Sequence, residues 1–361
     1  MQKSLFAVLL LSLLAACTQP DKFGAREITY ADLPGWEEDK HEEALATFIT
    51  SCEVLSRKAR DVSAGSNLQL DETLWKSLCD EAKWAQTNPA QARFFFESRF
   101  VPFRVNNNDR EQGLFTGYYE PMLYGSTRKG GDFQYPLHMA PPELKNNKPY
   151  YTHAEINRGA LDGRGLEMVW VSDPVMKFFM QIQGSGRVRM TDGREFFIGY
   201  ADGNGHPYVS IGKVMIDEGW MEKDEVTFFS LRKWLYDNPD KAFDLMERNP
   251  SYVFFKKRKK PATGSIGVVL TPMRSIAVES RHIPYGLPVY MEAVLPPEEN
   301  PVSFNRLMIA QDTGGAIKGP VRADIFFGPG SDAEYYAGNM KYRGMYNLLV
   351  PKEIAAILRP E

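Results

Sequence analysis

The chain has 361 residues, of which 43% are hydrophobic and 12% aromatic, a composition typical of a globular protein with room for two domains. Its 43 basic and 46 acidic side chains leave a formal net charge of -3, so bulk charge excludes the strongly basic class of nucleic-acid-binding proteins. The aromatic content is compatible with carbohydrate binding, although most aromatic side chains of a globular protein lie in its core.

The N-terminus carries the features of an export signal. A short basic start and an apolar run over residues 5–14 precede Leu14-Ala15-Ala16-Cys17, a motif typical of a bacterial lipobox. Residues 1–16 are therefore predicted to be a signal peptide, too short for a membrane span, and Cys17 the site of lipid attachment. Thr18 at the next position favours the outer membrane, with the protein facing the periplasm. A plain signal peptide followed by an unmodified cysteine is the alternative.

The next part of the chain is predicted to be a tether followed by helices. Residues 17–40 contain prolines and glycines without periodicity, and Trp36 is expected to dock on the folded body. Apolar periodicity predicts helices over residues 42–58, 71–85 and 89–100.

Two cysteines fall in the first two of these helices, Cys52 and Cys79. Because the periplasm is oxidising, paired cysteines in an exported protein favour a disulfide, which would clip the two helices together. Two buried free thiols are the alternative.

Beyond Arg104 short apolar or alternating runs separated by glycine and proline indicate β-structure. Strands are predicted over residues 114–119, 168–171, 178–182, 187–190 and 195–200, with a hairpin turn at Asp192-Gly193. Helices follow over residues 208–218 and 225–246, and the basic run 256–260 is interpreted as a solvated linker. The remaining strands are predicted over residues 268–270, 276–278, 289–291, 307–310, 323–327 and 346–350.

A segment near the C-terminus combines glycines and apolar residues with three aspartates, Asp312, Asp324 and Asp332. Asp324 lies within Ala323-Asp324-Ile325-Phe326-Phe327, where ionisation of a carboxyl is costly and its pKa should be raised. An acid with a raised pKa can protonate a bridging oxygen near neutral pH, so Asp324 is the first candidate for catalysis. An outward-facing aspartate on a strand edge is the alternative.

The other two aspartates permit different interpretations. Asp312 opens an Asp-Thr-Gly triplet of the kind that aspartic proteases carry twice; the chain has one, so a protease would have to be a homodimer. Asp332 is predicted to cap a short helix, with a supporting electrostatic role if the three aspartates converge.

No metal site is expected, since the sequence lacks a His-Glu-x-x-His motif and clustered Cys or His residues. No cofactor is expected either, because Gly184-Ser185-Gly186 lacks the setting of a dinucleotide-binding fingerprint.

Taken together, these motifs resemble those of the MltA family of lytic transglycosylases. The similar core is Gln-Asp-Thr-Gly-Gly-Ala-Ile-Lys-Gly at 311–319, followed by Asp324 and Gly328. Further similar segments are Phe-Thr-Gly-Tyr-Tyr-Glu-Pro at 115–121, Gln-Ile-Gln-Gly-Ser-Gly at 181–186, and residues 33–36, 51–52, 252–255 and 270–278. The similarity thus extends over almost the whole mature chain, which makes it far more specific than any single motif.

The resemblance implies a mainly β protein with an α-helical N-terminal part and two domains. Residues 41–105 together with 258–361 would form helices and a double-psi β-barrel, the three-aspartate domain. Residues 106–257 would form an inserted second β-domain, and the substrate groove would lie between the two domains.

The implied activity is cleavage of the β-1,4 bond between N-acetylmuramic acid and N-acetylglucosamine in peptidoglycan, without water. The C6 hydroxyl of muramic acid attacks instead and leaves a 1,6-anhydro ring. One carboxyl suffices because the internal hydroxyl already has a high effective molarity. Asp324 would act as acid and then as base, with Asp312 and Asp332 in support.

Residues of the matched motifs become candidates for substrate binding: Tyr118, Tyr119, Glu120, Gln181, Gln183, Ser185, Thr271 and Arg274. The glutamines and the serine are expected to hydrogen-bond sugars, and the two tyrosines to stack on them.

The expected partners are peptidoglycan glycan strands and, through the lipid on Cys17, a membrane. The protein is expected to be a monomer that binds no nucleic acid.

Two other functions stay open. One is a non-catalytic peptidoglycan-binding lipoprotein, and the other a two-carboxylate glycoside hydrolase with Glu120 or Asp312 as the second carboxylate.

Overall fold

The computed structural model describes residues 20–86, 88–146, 149–297 and 300–359. The predicted signal peptide and the predicted lipidation site at Cys17 lie outside these residues. No helix within the described ranges is both long and apolar enough to cross a membrane.

The described chain mixes helices and strands. Its α-helices are α1 (His41–Ser63), α2 (Glu72–Ala85), α3 (Pro89–Arg99), α4 (His153–Asn157), α5 (Pro174–Gln183), α6 (Ile211–Asp217), α7 (Phe228–Asp237), α8 (Pro239–Glu247) and α9 (Ser331–Asn339). Its strands are β1 (Phe23–Glu27), β2 (Phe100–Asn107), β3 (Gly113–Glu120), β4 (Met122–Ser126), β5 (Tyr135–His138), β6 (Glu167–Val171), β7 (Ser185–Met190), β8 (Glu195–Gly203), β9 (Val253–Arg258), β10 (Ser275–Ala277), β11 (Pro288–Leu295), β12 (Val302–Asp312), β13 (Arg322–Pro329) and β14 (Lys341–Pro351).

The N-terminal helices form where the apolar periodicity predicts them. The side chain of Asp71 accepts a hydrogen bond from the backbone N–H of Leu74 and caps α2, and Asn88 caps α3 in the same way ahead of Pro89. Cys52 on α1 and Cys79 on α2 are joined by a disulfide, with their Cα atoms 5.7 Å apart. The predicted bridge between the first two helices is therefore confirmed.

The predicted tether, in contrast, is part of the fold from Phe23 onward. Strand β1 pairs antiparallel with β2, and the side chain of Trp36 is only 3% exposed. The Trp36 ring packs against Tyr290, and its indole N–H donates a hydrogen bond to Glu97 at 2.8 Å. The prediction of an unstructured tether over residues 17–40 is wrong for this part, because β2 supplies partners for the backbone of β1.

A closed barrel forms the centre of the larger sheet. Its hydrogen-bonded order is β1-β2-β14-β11-β12-β10-β13-β3, and an added pairing of β14 with β3 closes six of these strands into a ring. The barrel interior and the packed helices α1–α3 share one large hydrophobic core. Strand β3 belongs to this barrel, although it lies beyond residue 106, where the second domain is expected to begin.

The second sheet has the order β5-β6-β4-β7-β8-β9. Helix α5 packs against its core through Met180, where a strand over residues 178–182 was expected. That expectation is wrong because Asp173 caps the segment, accepting hydrogen bonds from the N–H groups of Val175 and Met176, and Pro174 occupies the first helical position.

Two further expectations need correction. Residues 268–270 form no strand and contribute one isolated bridge, between Val269 and Thr263. The basic run is no linker in its first half, because Lys256, Lys257 and Arg258 belong to strand β9 at the edge of the second sheet. Exposed lysines are a common way to protect such an edge from pairing with another chain.

Candidate active site

The register of four barrel strands brings the first two aspartates into one row. Ala277 on β10 pairs with Asp312 on β12 and with Asp324 on β13, and Asp324 in turn pairs with Thr116 on β3. Directly paired residues point to the same face of a sheet. Since neighbouring strands lie about 4.8 Å apart, two strand spacings place the Cα atoms of the two aspartates about 10 Å apart.

This row faces away from the barrel interior. Ala323, Ile325 and Phe327 alternate with Asp324 and belong to the barrel core. On the side of Asp324 lies a smaller hydrophobic group, here called the outer cluster, which consists of Tyr118, Ala262, Leu270, Ala277, Ile317 and Phe326. Strand β13 lies between β10 and β3, so Asp324 is not on a strand edge as the alternative interpretation supposed.

Burial raises the pKa of the Asp324 carboxyl above its ordinary value, and the neighbouring Asp312 carboxylate raises it further. The Arg322 guanidinium and the hydrogen bond from Thr116 oppose this rise without cancelling it. The apolar sequence around Asp324 predicts this upward shift of its pKa, and the shift favours the protonated acid.

A chain of hydrogen bonds decides which oxygen of Asp324 carries the proton. Arg322 donates from Nη2 to the Thr116 hydroxyl oxygen at 2.8 Å, so that hydroxyl directs its own proton to Oδ1 of Asp324. No hydrogen bond to Oδ2 is found within the described residues. The proton of the neutral acid therefore belongs on Oδ2, where it can be donated to a ligand.

Asp312, in contrast, is held by four hydrogen bonds. Its Oδ1 accepts from the backbone N–H groups of Ser265 and Thr313, each at 2.9 Å, and from the Ser265 hydroxyl at 2.7 Å. Its Oδ2 accepts from the Tyr118 hydroxyl at 3.0 Å. Burial raises the pKa of Asp312, while these donors oppose the rise. Both carboxylate oxygens of Asp312 thus accept hydrogen bonds from protein groups.

Asp332 does not cap its helix. The N-cap of α9 is Gly330, and Asp332 lies exposed in the first turn, a favourable place for a carboxylate near the helix dipole. Helix α9 approaches β3 so closely that a Cβ atom on Gly117 would lie 3.0 Å from the Cα atom of Ala337 on α9. No hydrogen bond within the described residues joins Asp332 to Asp312 or Asp324, so convergence of the three carboxyls stays a prediction.

Tyr118 and Tyr119 are largely buried in this structure, so the expectation that they stack on sugars stays a prediction. Their side chains are 8% and 4% exposed, because Tyr118 packs on Phe326 in the outer cluster and Tyr119 lies in the barrel core. Their hydroxyls are used within the protein, that of Tyr118 by Asp312 and that of Tyr119 by Glu334 at 2.9 Å.

The other candidates near the junction of the two sheets have different surroundings. Gln183 ends α5, and its Oε1 accepts the Tyr119 backbone N–H at 3.1 Å, which ties the second sheet region to the barrel. Gln181 is 7% exposed, and its amide nitrogen is buried without a partner in the described part of the chain. Glu120 is buried and pairs with Arg187 at 3.0 Å, whereas Ser185 is partly exposed at the start of β7.

Two candidates lie on the segment before β10. Thr271 is partly buried, and its backbone N–H donates to the hydroxyl of Ser275 at 2.8 Å. Arg274 is only 1% exposed and pairs with the buried carboxylate of Asp39 at 2.8 Å. The Arg274 guanidinium is thus enclosed in the protein, and its substrate-binding role stays a prediction.

Three residues of the site were not predicted from the sequence: Thr116, Arg322 and Ser265. Alternation on β3 places Thr116 on the face of Tyr118, and this signal was present in the sequence. The pairing of β3 with β13 joins residues 208 positions apart, and nothing local in the sequence predicts it.

Two family models match the chain. One is described as the MltA specific insert domain and matches residues 114–256, and the other is the 3D domain and matches residues 274–350. The first model thus covers β3 and most of the second sheet, and the second model covers most of the barrel.

Curated proteins similar to the chain are named membrane-bound lytic murein transglycosylase A or its homolog. The chain is 38% identical over 237 residues to the membrane-bound lytic murein transglycosylase A of Vibrio cholerae, and the match covers 64% of this chain and 63% of that protein. It is 32% identical over 270 residues to the homolog of that protein in Buchnera aphidicola, and this match covers 73% of each of the two chains. The matched segment thus spans less than two thirds of the Vibrio cholerae protein.

Solved structures match over a larger part of the chain. A membrane-bound lytic murein transglycosylase from Agrobacterium tumefaciens has a TM-score of 0.84 at 31% identity, covering 93% of this chain and 100% of that one. The Escherichia coli MltA structure with bound chitohexaose has a TM-score of 0.72 at 27% identity, covering 92% of this chain and 95% of that one.

Proposed function

Because the chain belongs to the MltA family, we propose that it is a lytic transglycosylase that cleaves the β-1,4 bond between N-acetylmuramic acid and N-acetylglucosamine in peptidoglycan. The relatives it matches are named lytic murein transglycosylases, and one similar structure holds a chitohexaose, an oligosaccharide of the same linkage type. The substrate would be a glycan strand lying in a groove between the barrel and the second sheet.

One observation carries this proposal: Asp324 has a raised pKa and an Oδ2 atom that no described protein group occupies. In the first step Oδ2–H would donate its proton to the bridging oxygen as the bond to the muramic acid C1 breaks. In the second step the resulting carboxylate would take a proton from the C6 hydroxyl as its oxygen bonds to C1. Asp324 ends neutral, and the product carries a 1,6-anhydro ring.

The hydrogen bonds of Asp312 weigh against the two-carboxylate alternative. A second carboxylate that activates water needs free acceptor positions, and Asp312 already accepts three hydrogen bonds from protein groups at Oδ1 and one, from Tyr118, at Oδ2. Glu120, the other candidate partner, is buried in an ion pair with Arg187. Asp312 would instead stabilise the loops around the site and add its charge to the field on Asp324.

A digestion experiment separates the transglycosylase from its alternatives. Incubated with purified cell-wall sacculi, the protein should release muropeptides with anhydro ends, one water lighter than the hydrolysis products, as weighed by mass spectrometry. Products with reducing ends alone would establish a hydrolase, and binding without any release would establish a non-catalytic binding protein.

We also propose that the mature protein is a monomer anchored in the outer membrane by a lipid on Cys17 and facing the periplasm. The sequence Leu14-Ala15-Ala16-Cys17 and the relatives' name, membrane-bound, support this proposal. The disulfide between Cys52 and Cys79 is compatible with an oxidising compartment.

Substitution of Cys17 tests the anchor. Cys17→Ser removes the thiol that would carry the lipid, so the protein should lose fatty-acid labelling and leave the membrane fraction. Cell fractionation and a fatty-acid probe measure both effects, with Cys52→Ser as a control that keeps the lipobox. Unchanged labelling and membrane retention of Cys17→Ser would contradict lipidation at this residue.

A further inference from the structure

One face of the second sheet carries cations and is partly exposed, most of all at Lys256. On β7, β8 and β9 the side chains of Val188, Ile198 and Phe255 point into the core of this sheet. The opposite side chains form what we call the open sheet face, which consists of Ser185, Arg187, Phe197, Lys256 and Arg258.

The strand register arranges this face in two rows. Ser185 pairs with Gly199, which pairs with Lys256; next to this row, Arg187 pairs with Phe197, which pairs with Arg258. Lys256 and Arg258 are therefore on the same face as Ser185, one of the candidates for contact with the glycan.

The charges on this face are only partly balanced. Arg187 pairs with Glu120 at 3.0 Å, and Arg189 beyond it pairs with Glu195. Lys256 and Arg258 form no ion pair within the part of the chain that the structure describes. The open sheet face thus keeps two positive charges available to a ligand.

Packing holds Arg258 across the sheet. Its side chain lies over Gly199, where an added Cβ atom would come within 2.6 Å of Nε. The Nε–H group is buried and has no hydrogen-bond acceptor among the described residues. The Nη groups of Arg258 are not buried in this way, and a guanidinium held in place by packing is suited to a planar oxygen ligand such as a carboxylate.

We propose that the open sheet face binds the acidic peptide substituents of the glycan strand, with Lys256 and Arg258 pairing with their carboxylates. This inference rests on the proposed function, because peptidoglycan strands carry short peptides with free carboxylates. The enzyme would therefore prefer peptide-bearing strands to strands whose peptides have been removed.

The matched control is the neighbouring residue Lys257. Its side chain is exposed like that of Lys256 but lies on the other face of β9, with Nζ 4.8 Å from the centre of the Phe196 ring. Lys256→Gln and Lys257→Gln thus make the same chemical change, one position apart, on opposite faces of the sheet.

The test compares kcat/KM on peptide-bearing glycan strands and on the same strands after amidase has removed the peptides, using the purified full-length protein in detergent. Lys256→Gln should lower the ratio of kcat/KM on peptide-bearing strands to kcat/KM on stripped strands by about two- to fivefold, the scale of a partly exposed ion pair. Arg258→Gln should lower it at least as much, and Lys257→Gln should leave it unchanged. Added salt should also lower the ratio for the unaltered protein.

An unchanged ratio in Lys256→Gln and Arg258→Gln, or an equal fall in Lys257→Gln, would overturn the peptide site. Loss of binding to phosphatidylglycerol vesicles with an unchanged ratio would also overturn it and would assign the face to lipid. Failure of the proposed function would look different, because no anhydro product would form from either substrate.

Discussion

Asp324→Asn should reduce the release of anhydro-muropeptides by about 10²–10⁴-fold or more, the usual scale for loss of a general acid–base group. The asparagine is nearly isosteric, and its carbonyl oxygen can still accept the hydrogen bond from Thr116 that the structure gives to Oδ1. It has no acidic proton for the leaving oxygen. Because one group would serve as both acid and base, the loss could exceed this range.

Sacculus digestion by Asp324→Asn, Asp312→Asn and Asp332→Asn, with a thermal melt of each, measures this effect. Asp332 is exposed in the first turn of α9, so its replacement should have little effect on either readout. Asp312→Asn should act more on stability, since an amide cannot accept hydrogen bonds at both positions. A folded Asp324→Asn protein with near-normal activity would remove this residue from the mechanism.

The pH dependence of the same variant gives an independent test. The folded-state pKa of Asp324 is raised, so the group favours folding while protonated, and this stability is lost as pH rises from about 3.9, the ordinary pKa of an aspartate, through the folded value. Asp324→Asn stays neutral, so its melting temperature relative to the unaltered protein should rise over that window. A constant difference would contradict the raised pKa.

Arg274→Met should destabilise the fold by about 3–5 kcal/mol, the cost of leaving a buried charge unpaired. The Arg274 guanidinium meets both carboxylate oxygens of Asp39, at 2.8 and 3.0 Å, and also donates to the Leu307 carbonyl at 2.8 Å. Both side chains of the pair are almost fully buried, at 2% and 3% exposure. Removal of the guanidinium leaves the Asp39 carboxylate enclosed without its partner.

Urea unfolding of Arg274→Met and Arg281→Met measures the difference. Arg281 also pairs with a carboxylate, that of Glu279, but is 58% exposed, so its replacement should cost less than about 1 kcal/mol. Adding Asp39→Asn to Arg274→Met should restore part of the stability. If Arg274→Met kept normal stability but bound glycan weakly, Arg274 would be a substrate residue after all.

Local features of the sequence predicted the elements that depend on neighbours along the chain. The N-terminal helices follow from their apolar periodicity and from the cap at Asp71, and β13 follows from its short apolar run. The apolar residues beside Asp324 also predicted the direction of its pKa shift, although the burial and the Asp312 charge that raise the pKa come from the fold. Resemblance added the family and the two-domain organisation, which no periodicity could provide.

Only the tertiary structure decided which of these residues meet. Thr116 reaches Asp324 because β3 joins the barrel beside β13, and Arg274 is buried because Asp39, 235 residues earlier, folds back onto it. The tyrosines of the matched motif looked available for stacking, yet their hydroxyls are used by Asp312 and Glu334. A sequence fixes preferences over a few residues, whereas strand pairing and charge burial depend on partners far along the chain, and those partners determine the hydrogen bonds and pKa values of the site.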